Sequence, residues 1–404
     1  MTPRLLPWLV LSALSALSGS AWAFADDNNT VTTYVQAGYQ RDSNLLRRDS
    51  ASGEEADKIR ILAAGVQLKL PVSLQTFTAG LDVQDVRFDR FTDLNYRSHR
   101  ASAGWDWRLT PDIGGKLGWA DERQPVQLKY LDQKLLDETK DRRLNASVFY
   151  RFQPEWQVEA GADDGRTTHT LQARQYLDND SRGYSAGLRY LPTTGSSVAL
   201  VAKRSTADYP NREVPVVPPT ITLPFFLVDN GYTQRDLRLT ADWRASETAT
   251  VSAYAGQTKR EHHQLNGRDF SGATGRLALD WLLSGKLRFV TGTWREIGGD
   301  EQSAFSSYAI RRGWNVEPTW YVTPKVQAKL SWRQERLQYA GAPATAVGVE
   351  QRSDKEKMLS VSADYEVLTN VVLSLSHSRE KRESNQAVEN YRDRMTSLFV
   401  KASF

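Results

Sequence analysis

Apolar and polar side chains alternate at every second position along most of this chain. In Ala101-Ser-Ala-Gly-Trp-Asp-Trp-Arg-Leu109 the odd positions carry Ala, Ala, Trp, Trp and Leu, and the even ones Ser, Gly, Asp and Arg. The same pattern returns in Leu237-Arg-Leu-Thr-Ala-Asp-Trp-Arg244, in Val326–Glu335 and in Leu359-Ser-Val-Ser-Ala-Asp-Tyr-Glu366. Period-2 alternation places one set of side chains on each face of a β-strand, so each segment predicts a strand with one apolar and one polar face.

The connections between these segments fall into two classes that take turns. Short ones hold turn-forming residues: Pro71-Val-Ser, Thr110-Pro-Asp, Gln153-Pro-Glu, Pro192-Thr-Thr-Gly, Ala245-Ser-Glu-Thr, Ser284-Gly-Lys, Thr323-Pro-Lys and Thr369-Asn. Between them lie longer polar stretches such as Arg41–Asp57, Gln124–Glu138, Asp208–Gly231, Glu261–Asp269 and Ala342–Asp354. Eight short turns and nine longer connections join about 18 antiparallel strands. An aromatic residue (Trp107, Trp156, Tyr190, Trp243, Trp281, Trp320 or Tyr365) stands beside nearly every short turn. Gathered on one side of a membrane, these rings make an interfacial girdle. The expected fold is all-β: an antiparallel transmembrane β-barrel with short periplasmic turns and longer extracellular loops.

Composition does not contradict that fold. The 404 residues are 40% hydrophobic, mean hydropathy is −0.54, and no uncharged apolar run is long enough for a spanning helix. A closed barrel needs none, because its backbone groups pair between strands and only alternate side chains meet lipid. Residues 1–23 read as a secretory signal peptide: Arg4, an apolar stretch from Leu5 to about Leu17, then Ser20-Ala-Trp-Ala23 as a cleavage site, with the mature chain starting at Phe24. The mature chain is residues 24–404, one barrel domain. There is no cysteine, so no disulfide contributes. Charge is balanced, with 52 Lys+Arg against 48 Asp+Glu spread along the chain, which argues against an electrostatic nucleic-acid partner. The ending Leu398-Phe-Val-Lys-Ala-Ser-Phe404, with Leu398, Val400 and Phe404 on one parity, resembles the terminal-strand assembly signal of bacterial outer-membrane proteins.

The chemistry-bearing residues do not assemble into a catalytic set. Of five histidines, His377 lies between Ser376 and Ser378, but strand neighbours point to opposite faces; His377 falls on the lipid-facing parity near the outer rim. His262-His263 with Glu261 reads as part of an exposed loop without a fixed third metal ligand. Asp26-Asp-Asn-Asn29 lacks the spacing and glycine of a calcium loop. No catalytic residue, metal site or cofactor is expected. The polar parity is more informative. It places Arg108, Lys116, Arg151, Arg189, Arg238, Asp242, Lys329, Arg333 and Asp364 on the interior, as either a paired polar plug or a hydrated channel lining. The stretch Asp208–Gly231 carries five prolines beside Val216, Ile221, Leu223, Phe225 and Phe226. It is too apolar for a solvated loop. Pro218, Pro219, Phe225 and Phe226 are expected either in a lumen constriction or packed over a neighbouring loop.

The segment Gly38-Tyr-Gln-Arg-Asp-Ser-Asn-Leu-Leu-Arg47 closely resembles the first-hairpin motif of the EpsL-type exopolysaccharide-biosynthesis outer-membrane proteins. Further matches follow in Phe88-Asp-Arg-Phe-Thr-Asp-Leu-Asn-Tyr96 and Ala103–Leu109, so the resemblance is concentrated in residues 34–125; Leu46 stands where that family usually has Phe. The resemblance implies an outer-membrane barrel made alongside polysaccharide-synthesis machinery, helping a polymer across the membrane. Its implied partners are outer-membrane lipid, a polysaccharide or other polar solute, and periplasmic components of a synthesis and export complex. A nutrient-uptake porin for a polar or charged solute and a closed scaffolding barrel are the alternatives. Deleting Phe404 is expected to lower the amount of heat-modifiable, folded barrel in the outer membrane and leave unfolded chain in the periplasm. Semi-native gel shifts of the two fractions measure this.

Overall fold

The computed structural model describes residues 30–128, 135–211, 231–264, 266–299, 308–341 and 351–404. Eighteen strands run in chain order: β1 (Val31–Asp42), β2 (Asp57–Val72), β3 (Gln75–Phe88), β4 (Tyr96–Arg108), β5 (Ile113–Pro125), β6 (Glu138–Gln153), β7 (Trp156–His169), β8 (Asn179–Tyr190) and β9 (Ser197–Asp208), followed by β10 (Tyr232–Arg244), β11 (Ala249–His262), β12 (Phe270–Ser284), β13 (Leu287–Gly299), β14 (Tyr308–Thr323), β15 (Val326–Ala340), β16 (Ser353–Leu368), β17 (Val371–Ser384) and β18 (Tyr391–Ser403). Each pairs antiparallel with its sequence neighbours, and β1 pairs with both β2 and β18, so the sheet closes into a barrel. At the seam Tyr34 lies opposite Ser403 and Asp42 opposite Met395. The last residue joins it: Thr33 N–H donates to the Phe404 carbonyl at 3.0 Å and Phe404 N–H to that of Thr33 at 2.8 Å.

The two loop classes alternate as the sequence predicts. Eight connections of two to six residues separate β2 from β3, β4 from β5 and so on to β16 and β17, and nine of six to 23 residues lie at the other end. The strands reach further than the alternation alone suggests. The first long connection shrinks to residues 43–56, and β2 runs through Pro71 and Val72 to a turn at Ser73, whose φ is +56°. Strands of 12–16 residues exceed the 9–11 or so that cross a bilayer. Their outer ends therefore stand above the hydrocarbon, which is why both of their faces can be polar there.

Directly paired residues share a face, so the register sorts every side chain into one of two surfaces. The outward set carries Leu62, Val66, Leu81, Leu117, Leu144, Leu188, Leu239, Leu277, Leu330, Val361, Leu375 and Leu398, all well exposed. A monomeric soluble protein does not expose a continuous apolar band of this kind. Near the short turns the same face carries Trp243, Trp281, Trp320 and Tyr365, with Phe77 stacked on Trp105 at 5.8 Å and Trp156 against Tyr190 at 5.1 Å. A closed barrel with an apolar band and an aromatic girdle at the short-turn end is a membrane-spanning barrel of the outer-membrane kind.

The inner face at the long-loop end contains two apolar clusters among the described residues, a small one of Ala309, Leu337 and Tyr339 and a larger one across the seam. Ile59 and Ile61 from β2, Val86 and Phe88 from β3 and Phe399 from β18 point inward, and Leu45, Leu46 and Leu94 from two outer connections bury against them. Gly38 in β1 makes this packing possible, because a Cβ there would stand 2.0 Å from the Phe399 ring. The absent side chain lets the ring lie flat across the seam.

Arg at Leu239 or Val361, each 53% exposed on the outward face, is expected to cost about 2–4 kcal/mol, the usual penalty for a charge at the bilayer midplane. Arg at Thr240 or Ser331, one position along on the inward face, is expected to fold like the parent. Urea unfolding in lipid vesicles distinguishes the two pairs.

Candidate functional site: the inner wall and its outer latch

All nine of the interior charges named from the sequence fall on the inward face. Six of them form ion pairs or cation–π contacts, some with a neighbour two residues along the same strand and some across strands. Lys116 lies 3.2 Å from Asp106, to which it is directly paired across β4 and β5. Arg189 pairs with Glu159 and also donates to the Ser197 hydroxyl at 3.0 Å. Arg238 is 2.9 Å from Asp236 and stands over the Tyr254 ring at 5.0 Å. Lys329 is 2.7 Å from Glu317. Arg333 is 3.2 Å from Glu335 and 4.9 Å from the Trp294 ring centre. Arg108, at the short-turn end of β4, lies over the Phe149 ring at 5.9 Å.

The other three are held differently. Asp242 accepts from the Ser252 hydroxyl at 2.8 Å, and buried Asp364 accepts from Gln327 Nε2 at 2.9 Å. The enclosed Arg151 Nε has no hydrogen-bond partner among the described residues. Lys203 with Asp163 at 2.7 Å, Arg288 with Asp280, and Arg276 over the Trp294 ring complete this wall. Alternation puts Asp163 and Asp280 on the inward parity, but it does not pick out Lys203, Arg276 or Arg288.

Accessibility divides the wall. Lys116–Asp106, Arg288–Asp280 and Lys203–Asp163 remain roughly half exposed, so their charges meet water. Other charges are enclosed, Arg189 and Asp364 near the short turns and Glu335 and Arg382 toward the long loops. Glu335 accepts from Trp294 Nε1 at 2.8 Å, and Arg382 lies among Glu356 at 2.9 Å, Glu389 at 3.2 Å and Asp354 at 3.6 Å, above the Tyr391 ring. Enclosed ions need this many partners, because desolvation otherwise outweighs a single attraction.

The segment singled out for its resemblance, Asp42 to Arg47, builds a latch. Asn44 is fully buried. Its Nδ2 donates to the Arg48 carbonyl at 2.7 Å and the Arg392 carbonyl at 2.9 Å, while Oδ1 accepts from Arg48 N–H at 3.0 Å. Its own N–H is shared between Asp42 and Asp393 at 2.8 and 3.1 Å. Ser43 donates to Asp393 at 3.0 Å and accepts from Arg394 N–H at 2.8 Å. Arg47, in the left-handed region at φ +53°, reaches Asp42 at 2.9 Å, Asp393 at 3.0 Å and Glu380 at 3.5 Å. Burial alone would lower the Arg47 pKa, but these three carboxylates more than reverse it and hold it above the usual guanidinium value. Together these contacts tie the first outer connection to β17 and β18 and drive Leu45 and Leu46 into the apolar cluster.

Several expectations meet the structure elsewhere. His262 is corrected: it ends β11 with its side chain buried, its ring 5.6 Å from that of Tyr232 and its Nδ1 3.5 Å from Asp269, and is not part of an exposed loop. Among the described residues no three His, Cys, Asp or Glu side chains group as metal ligands. His377 sits on the outward face with Nδ1 2.9 Å from the Thr396 hydroxyl, and Ser376 and Ser378 face the other way. Leu398, Val400 and Phe404 are exposed on the outward face. Pro218, Pro219, Phe225 and Phe226, the signal peptide and Asp26–Asn29 lie outside the described residues.

Neither a family model nor a curated protein sequence matches the chain. Among solved structures it is similar to the outer membrane protein OpdK from Pseudomonas aeruginosa, with 13% identity, TM-score 0.49, and 93% of this chain and 98% of that one covered. It is similar also to a mutant of the ferric enterobactin receptor PfeA of the same organism, at 8% identity and TM-score 0.47 over 92% and 80%. The siderophore receptor PirA from Acinetobacter baumannii gives 6% and 0.48 over 93% and 81%. The fold assignment rests on this chain's own closed strand ladder and outward apolar band.

Asn44→Ala is expected to leave the Arg48 and Arg392 carbonyls and the Arg48 N–H without their side-chain partner, destabilising the latch by about 1–3 kcal/mol. Protease nicking within residues 43–56 is expected to rise while the strands stay protected. Limited proteolysis read by mass spectrometry tests this.

Proposed function

We propose that this barrel is an outer-membrane pore for a polar polymer, acting in exopolysaccharide export. The observation that carries the reading is the inner wall's set of accessible, internally paired charges: Lys116–Asp106, Lys203–Asp163, Arg288–Asp280 and Lys329–Glu317. A moving polymer needs repeated weak contacts, since tight binding at one point stops passage. Paired charges offer hydrogen-bond donors and acceptors along the path without a strong net field of either sign. The resemblance in Gly38–Arg47 to exopolysaccharide-biosynthesis barrels supplies the polymer class, with lipid as surroundings and periplasmic synthesis and export components as partners.

A closed scaffold is the second reading, favoured by the latch and the enclosed ionic groups at the outer end. Conductance separates the two. The export pore is expected to give single-channel currents in planar bilayers that rise in Asn44→Ala, whereas a scaffold gives none in either form.

In cells, deleting the gene is expected to lower surface polysaccharide and raise the periplasmic pool, measured by fractionation and sugar analysis. Unchanged surface polymer together with slower uptake of one small solute would instead assign the barrel to nutrient entry.

A further inference from the structure

The outward face of β13–β16 carries a row of like charges. Register places Arg295 opposite Arg312, Arg312 opposite Arg336, and Arg336 opposite Lys355, so four cations stand side by side across four adjacent strands. Neighbouring strands lie about 4.8 Å apart, so the row spans about 14 Å. Like charges directly opposite each other destabilise a sheet. None of the four has an ion-pair partner among the described residues, and the enclosed Arg295 Nη1 has no hydrogen-bond partner there either. Elsewhere on the same outer belt, outward cations meet carboxylates: Arg97 with Asp85 at 3.2 Å, Arg235 with Glu261 at 3.1 Å, Arg182 with Asp164 at 3.4 Å. The carboxylate in the row's own line, Glu383 opposite Lys355, pairs with Lys381 and with Lys357 at 3.6 Å and feels Lys355 only as a weaker third charge.

Depth in the membrane says what neutralises the row. Trp314, two residues inward of Arg312 on the same face of β14, packs on Trp332 at 5.2 Å between ring centres. A Trp pair on the lipid face at the end of the apolar band marks the membrane–water interface. Two residues of strand rise about 7 Å, which puts the cations at the level of the lipid headgroups. They line a groove of about 390 Å3 with Trp314 and Gln334. A guanidinium binds phosphate through two parallel N–H groups, and three guanidinium groups and an ammonium in a row match an anion with phosphates at separated positions.

We propose that Arg295, Arg312, Arg336 and Lys355 form a lipid site on the outer wall of the barrel, which binds the phosphate groups of a phosphorylated glycolipid of the outer leaflet. The acyl chains of that lipid lie along the apolar band below Trp314 and Trp332. The site is independent of what passes through the lumen.

The test uses the full-length barrel purified in zwitterionic detergent, with bis-phosphorylated lipid A as the probe and native mass spectrometry as the readout. The parent is expected to retain lipid A, and Arg312→Gln/Arg336→Gln to bind it about thirtyfold more weakly, as two basic contacts at an anionic lipid surface imply. A matched pair on the other side of the belt, Arg166→Gln/Arg182→Gln, is expected to bind as the parent does. Should the row's double variant not fold, Arg312→Gln alone is expected to weaken binding about fivefold. Equal binding by a folded row variant overturns the site. Equal binding of lipid A stripped of its phosphates also overturns it, because the charges would then contribute nothing. Protection of the parent by inorganic phosphate at the same concentration as lipid A makes it a free-anion site and overturns the lipid assignment.

Discussion

Every feature of this protein depends on the ladder between β1 and β18. Backbone N–H and C=O groups have no water to turn to inside a bilayer, so an open sheet of this size would leave two unpaired edges in hydrocarbon. Closure removes both edges at once. It also fixes the register of the whole sheet, because pairing each strand with the next leaves no slack when the last must meet the first. Parity follows from register, and parity decides which side chains face lipid and which face the interior. The apolar band, the aromatic girdle and the paired inner charges are three consequences of that one closure.

The inner wall carries two kinds of charge with different physics. Half-exposed pairs such as Lys116–Asp106 keep their hydration and contribute little to stability. Enclosed groups such as Arg382 and Glu335 have several partners each, and removing one partner would leave a buried charge uncompensated. The first kind suits contact with a passing polar solute, and the second suits a rigid outer end.

The strand count, the two loop classes and the facing of the nine inner charges were legible in the sequence, because period-2 alternation and turn chemistry are local. Strand ends were not: above the hydrocarbon both faces of Arg41–Asp42 or Lys58–Ile59 answer to loops and ions as well as to lipid, so alternation fades before the ladder does. His262 reads as loop for the same reason, although it is still paired in β11 opposite Tyr232. Partners two residues apart on one strand, such as Arg238 with Asp236 and Arg333 with Glu335, follow from alternation, whereas those between strands are set by register and were illegible. Lys203 reaches Asp163 across an intervening strand, with no trace of this in the residues around either. The Asp42–Arg47 string stood out only by resemblance. Its physical role needs Asp393, which the chain supplies near its far end.

That separation has a consequence for the order of events in biogenesis. Ser43 and Asn44 bond to residues some 350 positions later in the chain. No fragment emerging from the secretion machinery can make those bonds, and no partly inserted sheet offers Asp393 beside Asp42. Until β18 docks, Leu45 and Leu46 lack Phe399 and the Arg47 guanidinium lacks Asp393, so the first connection cannot complete its contacts during insertion. The latch thus reports completion: a molecule whose outer end has closed is a molecule whose last strand has found its first.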